Sequence, residues 1–354
     1  MNEKVLMKGN EAIAEAAIAA GCRHFFGYPI TPQTEVAAYM SKRMPKIGGV
    51  YLQAESEVAS INMVLGAGAA GVRVMTSTSS PGISLMAEGI SYLAGSDVPC
   101  LIVNVQRGGP GLGGIQPSQA DYFQATKSTA HGDFHILVFA PSTVQETVDM
   151  IATAFELGDK YRMPAMVLSD GMLGQMMEPV VLPEAREPDN DSKDWAVSGH
   201  KDKREHNVVN SLYINPQELE TLVKARFERY AEIKEKHQMA EEYLADDADI
   251  IIVAYGSSSR VSRSAIDAAR KQGIKVGMIR PITLWPFPEK VIEKHVGHAE
   301  AFLSVEMSMG QMVDDVKLVV NGRVPVEFYG RTGGMIPTPN EVLEQIVRIN
   351  GGVQ

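Results

Sequence analysis

The chain has 354 residues, 45% of them hydrophobic and 21% charged, with a formal net charge of -10. That length predicts about two domains, and the composition suits a globular protein with a large core. A negative balance with only 6% aromatic residues argues against a nucleic-acid surface, which needs clustered Lys and Arg or a stacking platform.

No long apolar stretch follows Met1–Val5, so no signal peptide is expected, and no apolar run of about 18 residues predicts a membrane span. Cys22 and Cys100 stand far apart in apolar surroundings. They read as small buried hydrophobes in a reducing cytoplasm, not as a disulfide. The sequence has no CxxC, so an iron–sulfur cluster is not expected on this chain.

Short β-prone runs lie at His24–Tyr28, Val50–Leu52, Val72–Thr76, Leu101–Val105, Ile136–Phe139 and Ala165–Leu168. Helical patterns separate them, among them Asn10–Ala20, Glu57–Ala70 and Thr143–Leu157. Such alternation predicts a mostly parallel sheet covered by helices on both faces. Strand runs that lack polar alternation fit a sheet buried on both sides. Glu184–Asn210 then breaks the pattern with twelve charged residues in 27, which reads as a solvated linker. A long helix is predicted over Pro216–Leu244, with Pro216 in its first turn. From Asp249 a second, smaller α/β unit is expected. Its strands are Ile250–Tyr255, Val276–Ile279, Ala301–Val305 and Val326–Tyr329, and its helices are Arg260–Gln272, Gly310–Val320 and Asn340–Ile349.

Two GxGxxG strings occur. Gly66–Gly71 ends a helix and leads into a strand, the reverse of a dinucleotide fingerprint, and reads as helix-packing glycine. Gly109–Gly114 does follow a strand, but Pro110 removes an N–H that an anion site would use. It reads as a flexible loop over a ligand, with an NAD-dependent dehydrogenase as the alternative. Ser169-Asp170-Gly171 resembles the first half of the magnesium–diphosphate motif of thiamine enzymes. The next downstream Asn is Asn190, inside the charged linker, so Asp170 is expected to be a loop or cap residue. His295 and His298 show no metal-ligand companions in the sequence, and no metal ligand is expected on this chain.

Three positions end predicted strands, the edge at which open parallel sheets bind ligands. In Gly27-Tyr28-Pro29-Ile30-Thr31-Pro32, two prolines fix the turn, and Thr31 is either an N-cap or a ligand-facing hydroxyl. Glu55 and Glu57 open the most apolar helix of the chain, where no charge follows from Val58 to Leu65. They either complement the helix dipole or serve chemistry. Arg107 follows an apolar strand and precedes a glycine loop. It is either a surface arginine or a two-point clamp for a carboxylate.

Taken with Met7–Ala12, Thr78–Gly82, Gly89–Ala94, Gln116–Gln119, Asp170–Pro179, Arg280-Pro281, Glu306 and Gly310-Gln311, these motifs resemble the α-type subunit of the 2-oxoacid:ferredoxin oxidoreductases. The likeness covers nearly the whole chain and is nearest to the branched-chain, 2-oxoisovalerate type. It implies a pyrimidine-binding thiamine diphosphate domain over 1–184, the charged linker and long helix over 185–246, and a transketolase C-terminal-like α/β domain over 247–354.

The resemblance also implies roles. Glu57 would hydrogen-bond the thiamine aminopyrimidine, with Pro29 and Ile30 lining the cofactor. Thr31 and Arg107 would bind the substrate carboxylate beneath the Gly108–Gly114 loop. Mg2+ and iron–sulfur clusters would sit on partners: a thiamine diphosphate-binding β-type subunit, a γ-type subunit and a ferredoxin-like δ subunit. Electrons would pass to ferredoxin and the acyl group to coenzyme A. Leu112 and Ile115 are apolar and no cation follows Arg107 until Lys127, which suits an uncharged substrate side chain. A 2-oxoglutarate-specific member of the family and a non-catalytic structural subunit are the remaining alternatives. Glu306 and Gln311 are expected to serve an interface.

Overall fold

In the computed structural model, residues 4–127, 129–188, 193–200 and 202–352 are described. Asn190 lies outside them, as do Met1–Glu3. The N-terminal half runs β1 (Val5–Lys8), α1 (Gly9–Ala19), β2 (His24–Gly27), α2 (Thr34–Arg43), β3 (Val50–Gln53), α3 (Glu57–Ala69), β4 (Val74–Thr78), α4 (Pro81–Gly95), β5 (Leu101–Gln106), α5 (Tyr122–Thr126), β6 (Leu137–Phe139), α6 (Val144–Tyr161), β7 (Ala165–Asp170), α7 (Gly171–Gln175) and β8 (Met177–Val180). The C-terminal half runs α8 (Pro216–Lys236), β9 (Ala240–Tyr243), β10 (Ile250–Val253), α9 (Gly256–Lys271), β11 (Val276–Pro281), β12 (Thr283–Trp285), α10 (Glu289–Val296), β13 (Ala301–Glu306), α11 (Met312–Val320), β14 (Val326–Gly330) and α12 (Pro339–Asn350).

The larger sheet has seven strands in the order β3-β2-β4-β5-β7-β6-β12. The first six are mutually parallel, and β12 joins antiparallel to β6. Every residue of β4, β5 and β7 is buried, as runs without polar alternation predict. The chain leaves β2 toward β3 and leaves β4 toward β5, so adjacent strands diverge at their carboxyl ends. A crevice opens at such a switch point. The smaller sheet has the order β14-β13-β10-β11-β9, with only β9 antiparallel. Successive residues of β10 face opposite sides. Ile251 and Val253 join a core continuous with the larger sheet, while Ile250 and Ile252 join a second core under α9 and α12.

Four features differ from the sequence reading. The long helix stops at Lys236, and Ala240–Tyr243 instead pairs with β11 as an edge strand. No glycine or proline marks that stop; sheet pairing overrides helical propensity. β1 and β8 form an antiparallel pair that their length hides from any periodicity argument. The strand β12 is lent by the C-terminal half to the N-terminal sheet. The charged segment after Glu184 is not a free, solvated linker. Arg186 N donates to Ala19 O (2.8 Å), Val197 N to Ala69 O (2.9 Å), and the Arg162 guanidinium stacks over Trp195.

Both cysteines are buried and unpaired. Burial pushes the Cys22 thiol up to about 12 and raises that of Cys100 as well. Among the described residues, no helix is long and apolar enough to cross a membrane.

The two halves meet at Gln119, which is fully buried. Its Nε2 donates to Tyr255 O (2.8 Å), and its Oε1 accepts from Ser258 Oγ (2.6 Å) and Met307 N (3.0 Å). Its own N–H donates to Met307 O and its carbonyl accepts from Tyr255 Oη. Arg280, also buried, adds a second tie by reaching Glu241 on β9 (2.7 Å) and Glu146 on α6 (3.1 Å). Gln119→Ala strands three buried polar groups at once. It is expected to lower unfolding stability by roughly 2–3 kcal/mol, read as a shift of the urea midpoint.

Candidate active site

Four neighbouring strands deliver the site to one edge. The loop after β2 carries Tyr28–Pro32. Its shape is fixed by Gln33, which is buried, donates from Nε2 to Tyr28 O (3.1 Å) and accepts from Ser77 Oγ on β4 (2.6 Å). Asn10 Nδ2 holds Pro32 O from the other side (2.7 Å). Sequence reasoning missed both amides, because nothing local distinguishes a loop-bracing glutamine from a surface one. The helix begins at Thr34, so Thr31 is not its N-cap. Thr31 is exposed at the loop tip, and Pro29 and Ile30 are half-buried beside it.

After β3, Ser56 caps α3 by accepting from Ala59 N (3.2 Å). Glu57 is the first helical residue and is 5% exposed, whereas Glu55 is exposed to solvent. No described group donates a hydrogen bond to the Glu57 carboxylate. It lies against Gly82 in the first turn of α4. A Cβ built there would stand 2.9 Å from Glu57 Oε1 and 1.9 Å from Thr78 Oγ1. Two helix N-termini, of α3 and of α4, thus meet at this carboxylate. Their partial positive charge makes its burial tolerable without an ion pair. The hydroxyls of Thr76, Thr78 and Ser79, on and just after β4, are buried without partners among the described residues. Such orphaned groups are uncommon and mark a place where a ligand completes the bonding.

After β5 comes Arg107, which is buried. Its Nη1 donates to Thr31 O (2.9 Å) and its Nη2 to Leu112 O (3.1 Å), while Nε has no partner. Thr31 and Arg107, paired by the family resemblance, are therefore in direct contact, and Arg107 is no surface residue. The glycine loop folds back on itself: Gly108 N donates to Gln116 O, and Gly114 N to Gly108 O, both at 2.9 Å. Gly113 has φ +58°, and a Cβ on it would strike Gly108 O at 1.9 Å, so glycine is needed there. No helix opens directly from this loop; the next, of five residues, starts at Tyr122. The geometry is not that of a dinucleotide-binding turn. Leu112 is 85% exposed at its tip.

Between α4 and this loop lies a cleft of about 650 Å³ lined by Ser80, Pro81, Leu85, Gly109 and Asp121. Burial pushes the Asp121 carboxyl above the ordinary aspartate range, and bonds from Ser80 and Asn104 draw it back.

Other candidates resolve differently. Asp170 caps α7, its Oδ1 accepting from Met172 N (2.9 Å) and Leu173 N (3.1 Å), so that oxygen serves the fold. Gly68 packs against Val98 at the close of α3, in line with a packing glycine. Glu306 needs correcting. It is not an interface residue, since it accepts from Ser304, Ser308, Gln311 N, Met312 N and Val313 N and anchors the start of α11. Gln311 does bridge the halves, to Ala120 O (2.7 Å). His295 does have companions, Glu242 and Asp246, with ligand atoms within 4.8 Å of one another. Lys294 Nζ already bonds both carboxylates, which supplies a cation there.

The family model described as pyruvate flavodoxin/ferredoxin oxidoreductase, thiamine diP-bdg, matches residues 15–246, and that of pyruvate:ferredoxin oxidoreductase core domain II matches 248–342. The chain is 49% identical to ketoisovalerate oxidoreductase subunit VorB of Methanothermobacter thermautotrophicus, covering 98% of both. Among solved structures, 2-oxoglutarate:ferredoxin oxidoreductase from Magnetococcus marinus, with 2-oxoglutarate, coenzyme A and succinyl-CoA bound, superimposes with a TM-score of 0.85 at 28% identity, over 98% of this chain and 65% of that one. A split-gene transketolase superimposes with a TM-score of 0.60 at 13% identity, over 97% of each chain, a likeness of fold.

The crowding at Gly82 can be tested without any ligand. Gly82→Ala forces apart Thr78 and Glu57 and is expected to cost about 1–3 kcal/mol of stability, as overpacking does. Gly109→Ala, where an added Cβ meets nothing within 4 Å, is the control in the same denaturation series.

Proposed function

This chain belongs to the pyruvate flavodoxin/ferredoxin oxidoreductase family, and from that premise we propose that it is the subunit that activates thiamine diphosphate in a branched-chain 2-oxoacid:ferredoxin oxidoreductase. The observation that carries this reading is Glu57, a buried carboxylate with no hydrogen-bond donor among the described residues, at the carboxyl edge of the sheet. Its surroundings fit the aminopyrimidine ring: a carboxylate to meet a ring nitrogen, orphaned hydroxyls on the strand β4, and the Pro29–Ile30 turn at the end of the neighbouring strand β2.

When bound, thiamine diphosphate supplies the electron sink that lets a 2-oxoacid lose carbon dioxide. The protein's share is positional. Glu57 would meet the aminopyrimidine nitrogen in a hydrogen bond and so orient the ring. Arg107, whose Nε has no partner among the described residues, would bind the substrate carboxylate, with Thr31 alongside. The bond from Arg107 to Leu112 O links carboxylate binding to the position of the glycine loop. Leu85 lines the cleft and Leu112 stands at the tip of the loop that Arg107 holds, apolar side chains that suit an aliphatic substrate. The relative named for ketoisovalerate supports that substrate class. The structure named for 2-oxoglutarate keeps the dicarboxylate as the second reading.

The remaining parts fall to partners in this reading. Asp170 is spent on a helix cap, so a β-type subunit holds the diphosphate and Mg2+. A γ-type subunit and a ferredoxin-like δ subunit complete the assembly. The δ subunit carries iron–sulfur clusters that pass electrons to ferredoxin, and coenzyme A takes the acyl group. The cytoplasm is the compartment that suits such reduced clusters.

The test is coexpression with the partner subunits under anoxic conditions, with reduction of a viologen dye driven by 2-oxoisovalerate and coenzyme A. Glu57→Gln is expected to lower the rate by about 100-fold or more, the scale of a lost acid–base group. An unchanged rate in a fully assembled complex removes Glu57 from the chemistry. A higher kcat/KM for 2-oxoglutarate than for 2-oxoisovalerate replaces the branched-chain reading with the second one.

A further inference from the structure

The segment from Gln119 to Phe123 belongs to two structures at once. On one side it is fastened to the C-terminal half. Gln119 N donates to Met307 O (2.9 Å), Gln311 Nε2 to Ala120 O (2.7 Å), and Phe123 N to Gln311 Oε1 (2.7 Å). Asp121 lies between these anchors and turns the other way, into the active-site edge. Its Oδ2 accepts from Ser80 Oγ (2.6 Å) and from Asn104 Nδ2 (2.9 Å). Its own N–H donates to Gln106 Oε1 (3.2 Å).

The network closes on Arg107. Ser80 N donates to Asn104 Oδ1 (3.1 Å), and Arg107 N donates to Ser80 Oγ (3.0 Å). A serine hydroxyl has one proton to give. Its bond to Asp121 is shorter than the contact with Arg107 O (3.2 Å), so the proton goes to the carboxylate. That leaves an oxygen lone pair aimed at the Arg107 amide. Asp121 thereby fixes the orientation of Ser80, the one side chain among the described residues that holds the Arg107 backbone, and Asp121 makes no ion pair with any of them. What Asp121 contributes is an acceptor in a set place rather than a charge.

We infer that Asp121 is a positioning residue, whose carboxylate transmits the docking of the C-terminal half through Ser80 to the substrate-binding Arg107. This rests on the reading of Arg107 under the proposed function. It assigns the C-terminal half a share in the active site although none of its residues lines the Ser80–Asp121 cleft.

The experiment uses the assembled complex and five variants: Asp121→Ala, Asp121→Asn, Gln311→Ala, Arg107→Ala, and the double variant Asp121→Ala with Arg107→Ala. KM and kcat for 2-oxoisovalerate are measured, together with hydrogen exchange of the amides from Arg107 to Gly114. Asp121→Ala is expected to raise KM by about 10-fold while kcat stays within about threefold, on the scale of one lost hydrogen bond to a charged group. Asp121→Asn keeps an acceptor oxygen for both donors and is expected to stay near wild type. Gln311→Ala acts from outside the cleft and is expected to shift KM in the same direction by less. On an Arg107→Ala background, Asp121→Ala is expected to add little, because the two act in series. Faster exchange at Arg107–Gly114 is expected in Asp121→Ala and Gln311→Ala but not in Asp121→Asn.

Full additivity on the Arg107→Ala background overturns the inference, as does unchanged exchange in both Asp121→Ala and Gln311→Ala. If the wild-type complex does not turn over 2-oxoacids, the proposed function fails instead. The exchange measurement then still decides whether Asp121 holds Arg107.

Discussion

A carboxylate can be buried beside a glycine only if two helices come close enough to leave no room for a side chain, and α3 and α4 meet that condition. Gly82 and Gly89 stand two turns apart on α4, on the face turned to α3. A Cβ at Gly89 would lie 2.4 Å from Ile61, as one at Gly82 would crowd Glu57. Glu57 and Ile61 are one turn apart on α3. The same close approach therefore packs the helix pair and delivers Glu57 to the N-terminus of α4. The helix ends supply the partial charge that an ion pair would otherwise provide. The hydroxyls of Thr76, Thr78 and Ser79, without partners among the described residues, lie on and just after the strand β4 that joins these helices. The chemistry proposed for Glu57 depends on this packing more than on any single bond.

The second constraint is that the active-site edge and the joint between the halves share one segment. Gln119 is consumed by Tyr255, Ser258 and Met307, and two residues later Asp121 is consumed by Ser80 and Asn104. A chain so connected cannot loosen its C-terminal half without disturbing the end of β4. The β12 strand works in the same direction by completing the N-terminal sheet with C-terminal residues. On the reading proposed above, in which another subunit holds the diphosphate, these ties would fix the pyrimidine half before assembly.

Much of this was legible in the sequence, for physical reasons. Strands buried on both faces announce themselves by apolar runs, and β4, β5 and β7 followed. Glu57 stood out because eight uncharged residues follow it, yet choosing it over Glu55 needed the family resemblance. In the structure the two differ in burial, Glu55 being exposed and Glu57 buried. Arg107 and Thr31 were paired by analogy and meet through the Thr31 carbonyl, a contact no side-chain motif encodes. What stayed hidden depends on long-range pairing. β12 has three residues, too few for a period, and β9 carries a sequence that continues a helix as well as it forms a strand. Gln33, Gln119 and Asp121 act through bonds to residues 44, 139 and 41 positions away, which no local pattern reports.

The central claim is that this chain supplies the aminopyrimidine half of a thiamine diphosphate site that a partner completes. Calorimetric titration of the cofactor tests it most directly, comparing the isolated chain, the assembled complex and the complex carrying Glu57→Gln. The account predicts saturable binding in the assembly alone, weakened by about 10-fold or more in Glu57→Gln, the scale of one hydrogen bond to a charged group. Equal affinity for the isolated chain, or an assembly indifferent to Glu57, contradicts it.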